Sequence, residues 1–185
     1  MILAPTIQMS NGGYFHLDDP RASDPFTVKE IAHALSNICR FVGHCREFYS
    51  VAQHSVLVSK LVPREFAMHG LFHDAAEAFI GDFPSPLKHY LGDTLLSNIE
   101  EAAEEEIHRR LYSEYKRNFP AVKDADLRAL STEKRDLMPP NSPWSVEATH
   151  PADERPVIAV PAEFARILFM ERYIELQKNE QDDGR

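Results

Sequence analysis

The sequence has few cysteines, no excess of positive charge and no long hydrophobic run. Its two cysteines, Cys39 and Cys45, match neither a CxxC motif nor a disulfide framework. The formal net charge of −9 excludes the global positive field that would hold a nucleic-acid polymer or an anionic membrane. No stretch approaches the roughly 20 apolar residues of a membrane-spanning helix, and the N-terminus does not resemble a signal peptide. These absences predict a cytoplasmic protein. An anionic ligand, if the protein binds one, would be a small molecule and not a polymer or a membrane.

Composition and periodicity predict a single all-α domain over residues 1–185. Hydrophobic residues make up 43% of the chain and charged residues 26%, which is the ordinary balance of a soluble globular protein. The length of 185 residues suits one domain with a substantial core. Helical spacing of apolar residues begins near residue 27, whereas internal repeats and alternating strands and helices do not occur.

Start and stop signals divide the chain into helices. Residues 1–25, rich in Gly, Pro and Asp, are predicted to be irregular or short extended structure, and "TVKE" (27–30) is a capping box that opens the first helix. Further helices are expected over 49–62, 63–81, 94–115, 120–138 and 161–177. Prolines predict a loop over 82–92, with at most one helical turn, and a long connection over 139–157. The tail 178–185 is expected to fray, and the charged runs "EEAAEEE" (100–106) and "EKRD" (133–136) are expected to be solvated.

Three ionisable residues interrupt the apolar stretch "LFHDAAE" (71–77). On a helix, His73, Asp74 and Glu77 would lie on neighbouring parts of one face. An imidazole and a carboxylate at successive positions can both reach one metal ion, but two ligands are too few for a stable site. His54 on the preceding helix and Asp126 on a later one are the candidates to complete a metal site inside a bundle.

The same residues also allow an interpretation without a metal, in which the buried histidines are hydrogen-bonded core residues. His69 and His73 form a competing pair at i and i+4, but the residues between them do not match the HExxH or HxxEH patterns of zinc proteases. A structural role is therefore expected for His69. The spacing of these residues alone does not favour a metal site over a cluster of hydrogen-bonded core residues.

Taken together, these residues resemble the H…HD…D signature of the HD-domain phosphohydrolase superfamily, with His54, His73, Asp74 and Asp126 at the signature positions. The blocks "RFVGHCREFYSVAQHS", "LFHDAAEAFIGDFPSPLK" and "VKDAD" are similar to the branch that contains bacterial 5′-deoxynucleotidases and phage dATP triphosphohydrolases. The extended string HDxxExxxGDxPxPxK is far more specific than HD alone. The resemblance implies a single HD-domain helical bundle with a divalent metal site in its core.

The resemblance also implies a role for each site residue. One divalent ion (Zn, Mn, Co, Fe or Mg) would be bound by His54, His73, Asp74 and Asp126. Glu77 would position or deprotonate the attacking water, and Asp82 would act as a second acid or base near the phosphate. Substrate contacts would come from Arg40, Phe41, Lys88 and Lys123.

Two departures from the family pattern concern the substrate. Phe41 stands where 5′-deoxynucleotidases usually carry a tryptophan involved in sugar selection, and His54 lies only 19 positions before His73, closer than in those relatives. Trp144, in the proline-rich connection, is a candidate lid near the pocket.

The sequence therefore predicts a metal-dependent phosphohydrolase acting on nucleotides. Deoxynucleoside 5′-phosphates are the expected substrates, with a 5′-nucleotidase and a dNTP triphosphohydrolase as the two versions. The alternative is a catalytically inactive HD-fold module that binds nucleotide or metal, and the third reading is a purely structural helical protein. Because relatives form dimers, a homodimer or higher homo-oligomer is a further hypothesis.

Overall fold

A short β-hairpin precedes a bundle of α-helices. A computed structural model describes residues 5–92, 94–111 and 119–183. The strands β1 (Thr6–Gln8) and β2 (Tyr14–His16) pair antiparallel. Eight α-helices lie within the described residues: α1 (Val28–Asn37), α2 (Val51–Leu61), α3 (Ala67–Phe72), α4 (Glu77–Ile80), α5 (Ser85–Leu91), α6 (Thr94–Leu111), α7 (Pro120–Leu137) and α8 (Ala162–Asp183). The prediction of an all-α fold is confirmed.

Side-chain caps begin the first two long helices, as the sequence predicts. The Thr27 hydroxyl accepts a hydrogen bond from the Lys29 amide (3.2 Å), and the Glu30 carboxylate accepts one from the Thr27 amide (2.7 Å). At the start of α2, the Ser50 hydroxyl accepts a bond from the Gln53 amide at 3.2 Å. These bonds satisfy amides that a helix N-terminus leaves unpaired.

Helix α2 lies at the centre of the bundle and packs against α1, α3, α7 and α8. Its approach to α3 depends on Gly70, because a Cβ atom there would lie 3.0 Å from the Ser59 Cα atom. Behind α3, the buried Phe72 ring packs edge-on against Phe169 and Tyr173 of α8, with both centroid distances at 5.8 Å. The central helix is thus buried on most sides, so polar groups on it need partners inside the protein.

The expected single helix over 63–81 is wrong in detail. A 3-10 turn (Arg64–Phe66) leads into α3, residues 73–76 form a turn, and α4 follows. In that turn the amides of Ala75, Glu77, Ala78 and Phe79 bond to carbonyls three residues earlier. This tighter spacing rotates the "HDAAE" side chains away from the positions of a regular α-helix.

Two further segments are more helical than expected. Residues 82–92, predicted to be a loop, contain α5, because Pro84 and Pro86 lie at its N-cap and first turn, where a helix needs no amide donor. The last helix reaches Asp183, so the predicted frayed tail is helical through that residue. The predicted end of the 94–115 helix falls among residues 112–118, outside the described residues.

The acidic run of α6 is not entirely solvated. Glu106 is buried, and it accepts hydrogen bonds from both Arg109 and Arg110. Arg110 also donates to the carbonyls of Ser23 and Asp24, at 2.8 Å each, and so fastens the N-terminal segment to α6.

Among the described residues, no helix combines the length and apolar character that crossing a bilayer requires.

Candidate active site

The four predicted metal ligands come together from three parts of the bundle. His54 is fully buried in α2, His73 and Asp74 lie in the turn after α3, and Asp126 is on α7. His54 Nε2 lies 3.2 Å from His73 Nε2, 3.4 Å from Asp74 Oδ2 and 3.4 Å from Asp126 Oδ1. His73 Nε2 is 3.2 Å from Asp74 Oδ2 and 4.0 Å from Asp126 Oδ1. Residues distant in sequence thus point four potential ligand atoms at one small space.

Hydrogen bonds on the far side of each imidazole orient these atoms. His54 Nδ1 lies 2.6 Å from Glu133 Oε1, and His73 Nδ1 lies 2.9 Å from the Gly70 carbonyl oxygen. Each Nδ1 faces an acceptor and must carry the proton, so in the neutral rings both Nε2 lone pairs face the two aspartates. Four acceptors that face one another repel unless a cation lies between them.

The spacing fits a metal ion. A metal about 2.1 Å from nitrogen and oxygen ligands separates neighbouring ligands by about 3.0–3.4 Å, close to most of the observed distances. The donor atoms of His54, His73 and Asp74 all lie within 4.8 Å of one another, so this group could hold an ion. Two imidazoles with carboxylates suit divalent transition metals.

The electrostatics of the cluster also favour positive charge. Burial and Arg40 act to lower the pKa of His54, but Glu133, Asp126 and Asp74 raise it well above its usual range. Burial acts to raise the pKa of Asp74, yet the two histidines hold it well below its ordinary value. A proton or a metal ion can supply the charge that this arrangement favours, so the two compete for the site.

Two more carboxyl groups border the cluster. Glu77 begins α4 and is buried, and its Oε2 has no hydrogen-bond partner among the described residues. Burial, together with the charges of Asp74 and Asp82, raises the pKa of Glu77 well above its usual value. Burial likewise raises the pKa of Asp82, which also responds to Arg40 and Asp74. A carboxylate with a raised pKa is a stronger proton acceptor than one in water.

Arg40 reaches the site from a strained turn. The turn Arg40–Gly43 holds Phe41 and Val42 at φ values of 55° and 53°, in the left-handed region that non-glycine residues rarely adopt. Arg40 NH1 lies 3.6 Å from Asp74 Oδ2, and NH2 lies 3.3 Å from Glu133 Oε2. Such strain often occurs at functional sites.

Glu133 is the site residue that the sequence prediction missed. Expected to be exposed, it is fully buried, because Asp126 and Glu133 are seven residues apart on α7 and share its inward face. Its Oε1 also accepts a hydrogen bond from the Tyr49 hydroxyl at 3.0 Å. Burial acts to raise the pKa of Glu133, but Arg40 and His54 lower it. The spacing from Asp126 was the signal that could have identified it.

The two predicted phosphate lysines bind carboxylates of the protein. Lys88 Nζ lies 2.5 Å from Glu100 Oε1 on α6, although its pKa also responds to the charges of Glu77 and Asp74. Lys123 Nζ donates to Asp126 Oδ2 at 2.8 Å, and its side chain is largely exposed. Both lysines therefore border the site, and their role as substrate contacts stays a prediction.

Trp144 extends the aromatic surface beside Arg40. The Arg40 guanidinium lies 5.5 Å from the Phe41 ring centroid, and the Phe41 and Trp144 centroids are 6.2 Å apart. Lys134 Nζ also lies over the indole ring, 5.6 Å from its centroid. The proline-rich connection thus brings the chain's single tryptophan next to Phe41.

Comparisons with known proteins identify the family of the chain. A family model described as 5′-deoxynucleotidase YfbR-like matches residues 23–137. The uncharacterized protein YfdR of Escherichia coli is 42% identical over 174 residues, which cover 93% of this chain and 96% of that protein. An uncharacterized protein of Rhodobacter capsulatus is 34% identical over 94 residues, 46% of this chain and 47% of that protein. A 5′-deoxynucleotidase of Vibrio atlanticus is 32% identical over 81 residues, 43% of this chain and 40% of that protein.

The matched region contains α2, α3 and α7, and with them all four residues of the H…HD…D signature. Because it covers more than half of the chain, and the Escherichia coli relative aligns over nearly its whole length, the predicted family is confirmed. The chain belongs to the YfbR-like 5′-deoxynucleotidase family of the HD superfamily.

Proposed function

We propose that this protein is a metal-dependent phosphohydrolase that removes the 5′-phosphate from deoxynucleoside monophosphates. One observation carries the proposal: two imidazole nitrogens and two carboxylate oxygens converge at 3.2–4.0 Å beside the partly buried Arg40 guanidinium. A site for a cation next to a site for an anion suits phosphoryl transfer. Membership of the family and the 5′-deoxynucleotidase from Vibrio atlanticus support the choice of substrate class.

The ion would be held by His54, His73, Asp74 and Asp126. A divalent ion in that position supplies Lewis acidity at a phosphoryl oxygen and makes water a better nucleophile. Glu77, with its raised pKa, accepts the proton of the attacking water as the new P–O bond forms. The bond from phosphorus to the 5′ oxygen breaks as Asp82, which enters the step as the protonated acid, gives its proton to that oxygen. Glu77 then releases the water proton to solvent and Asp82 takes one up, which restores both groups.

Arg40 and the aromatic pair orient the substrate. A guanidinium can bind two phosphate oxygens at once, and burial strengthens that charge–charge interaction. The Phe41 ring lies beside Arg40, and the Trp144 ring lies next to Phe41, so the sugar or base of a nucleotide bound through its phosphate would contact this pair. Aromatic rings provide a large apolar surface with few rotatable bonds.

The lysines favour the monophosphate version of the reaction over the triphosphate version. A triphosphate chain needs several cationic groups, but Lys88 already binds Glu100 and Lys123 already binds Asp126. Binding the β- and γ-phosphates would require both ion pairs to break. Hydrolysis of dNTPs to triphosphate is therefore the second candidate, to be tested beside the first.

The test is a substrate screen with the purified full chain loaded with Mn²⁺ or Co²⁺. Deoxynucleoside monophosphates and dNTPs are supplied separately, and the products are resolved by chromatography. We expect deoxynucleoside and orthophosphate from the monophosphates, and no turnover by an Asp126→Asn variant. Release of triphosphate from dNTPs would replace the monophosphate proposal with the triphosphohydrolase.

The screen also tests the alternative of an inactive module. If the chain binds stoichiometric metal by elemental analysis but hydrolyses neither substrate class, the phosphohydrolase proposal is wrong and a binding module is favoured. A chain purified without chelators that contains no metal and retains none on addition would favour the purely structural reading.

A further inference from the structure

Glu133 connects the two halves of the proposed active site. Its Oε1 lies 2.6 Å from Nδ1 of His54, a proposed metal ligand. Its Oε2 lies 3.3 Å from NH2 of Arg40, a proposed phosphate ligand. A third partner, the Tyr49 hydroxyl, donates to Oε1 at 3.0 Å. One carboxylate on α7 thus contacts His54 of α2, Tyr49 two residues before that helix, and Arg40 of the strained Arg40–Gly43 turn.

Burying the Glu133 carboxylate destabilises the folded protein unless its contacts with Tyr49, His54 and Arg40 are kept. The Glu133 side chain is 0% exposed, and removing a carboxylate from water costs several kcal/mol unless partners compensate for it. Tyr49 and His54 are also fully buried, so solvent cannot replace a lost contact. The three partners therefore constrain one another's positions more firmly than an exposed ion pair would.

The contact with His54 determines which ring nitrogen can bind a metal. Because Nδ1 donates its proton to Glu133, the Nε2 lone pair is left to face His73, Asp74 and Asp126. The contact with Arg40 holds the guanidinium within 3.6 Å of Asp74 while the backbone of Phe41 and Val42 is strained. Without Glu133, the ring could flip and the guanidinium could turn towards the aspartates.

We propose that Glu133 is a positioning residue that orients the metal ligand His54 and the phosphate ligand Arg40 through the two oxygens of one carboxylate. The inference rests on the proposed function, because it concerns the order of the same site. It assigns Glu133 no contact with substrate. The competing explanation is that Glu133 contributes only to the stability of the core.

The test compares Glu133→Gln with Tyr49→Phe in the full chain. Tyr49→Phe removes one hydrogen bond to the same oxygen but leaves the contacts with His54 and Arg40, so it controls for the loss of a buried bond. The affinity for Mn²⁺ is measured by calorimetry without nucleotide, and the thermal unfolding of the metal-free chains is measured beside it. We expect Glu133→Gln to weaken Mn²⁺ binding roughly 10–100-fold, as for other partners of ligand histidines, and Tyr49→Phe to change it less than threefold.

Kinetics supply a second measurement. Because Arg40 would lose its fixed direction, Glu133→Gln should also raise KM for the monophosphate at saturating Mn²⁺, whereas Tyr49→Phe should not. If both variants lose stability equally and retain wild-type Mn²⁺ affinity, Glu133 serves only the core and the inference is wrong. Wild-type protein that binds no divalent ion would overturn it as well.

A measurement on the wild-type chain does not depend on the folding of a variant. In Zn²⁺-loaded wild-type protein labelled with ¹³C and ¹⁵N, the His54 ring, assigned by through-bond correlations, should be in the tautomer protonated at Nδ1. A tautomer protonated at Nε2 would contradict the inference. Wild-type protein that binds Mn²⁺ but hydrolyses no nucleotide would overturn the proposed function alone, since the difference in Mn²⁺ affinity would still report on positioning.

Discussion

At the residue scale, the site is defined by how each charged group is paired. His54 and Asp74 lie among opposite charges, whereas Glu77 has an oxygen without a hydrogen-bond partner in the described residues. A buried carboxyl group without partners is expensive to keep in a folded protein. Such a group is more readily explained by a reaction than by stability, which is why Glu77 is the residue proposed to accept the proton.

Replacing Glu77 with glutamine should abolish turnover without releasing metal. The amide has nearly the same shape but cannot accept a proton, so we expect kcat to fall about 10²–10⁴-fold. Metal content by elemental analysis should be unchanged, because Glu77 is not among the proposed ligands. Glu105→Gln, at an exposed position of α6, is the matched control and should retain full activity. Full activity of Glu77→Gln would remove Glu77 from the mechanism.

At the element scale, the close contact between α2 and α3 sets the position of the ligands. Gly70 allows the backbones to approach, and its carbonyl oxygen accepts the hydrogen bond of His73. The turn at 73–76 then directs Asp74 towards His54. The distance between His54 on one helix and His73 after the next therefore depends on a residue without a side chain.

Substituting Gly70 with alanine should destabilise the protein despite the higher helix propensity of alanine. Overpacking against the Ser59 backbone costs about 1–3 kcal/mol, and the propensity gain offsets at most about 1 kcal/mol of it. Chemical denaturation should show a net loss for Gly70→Ala and a larger one for Gly70→Val. Lys60→Ala, exposed on α2, should stay within about 0.5 kcal/mol of wild type. A stabilised Gly70→Ala would mean that the two backbones are further apart than described.

At the scale of the whole molecule, one core joins the helices and leaves part of α8 uncovered. Phe169 and Leu176 of α8 are buried in that core, whereas Phe164 and Ile167 are exposed. Self-association stays a prediction, because exposed apolar residues do not identify what covers them. Ionisable groups also occur in the interior outside the proposed ligand set, and the buried His108 makes the free energy of unfolding depend on pH.

Acid should destabilise the fold partly through His108. Burial, with the nearby His69, lowers the pKa of His108 from 6.5 to about 4. Between these values the unfolded chain binds a proton that the folded chain does not, so stability falls as the pH falls from 6.5 to about 4. The contribution is at most about 3 kcal/mol.

Denaturation at pH 7 and pH 4.5 measures this slope. The loss of stability between the two pH values should be smaller in His108→Gln than in wild type. His89→Gln, at an exposed histidine of α5, should keep the wild-type slope. An unchanged slope in His108→Gln would show that other groups cause the acid sensitivity.

Much of the helix pattern could be predicted because its signals are local. The cap residues Thr27 and Ser50 and the proline at the start of α7 act within one helical turn, so they can be identified without a fold. The errors arose where longer-range packing competes with local preference. The turn at 73–76 replaces a regular helix. Glu133 is buried, although its charged neighbours Lys134 and Arg135 predicted that the segment is exposed to solvent.

The sequence by itself determined the helical class, the family and the set of candidate ligands, because apolar periodicity, caps and the H…HD…D spacing are properties of short stretches. Only the tertiary structure could bring Asp74 and Asp126 within 3.4 Å of His54 and place Glu133 in contact with both His54 and Arg40. Those contacts join residues up to 93 positions apart, since Arg40 meets Glu133. Their distances depend on how closely α2, α3 and α7 pack, which is a property of the whole core.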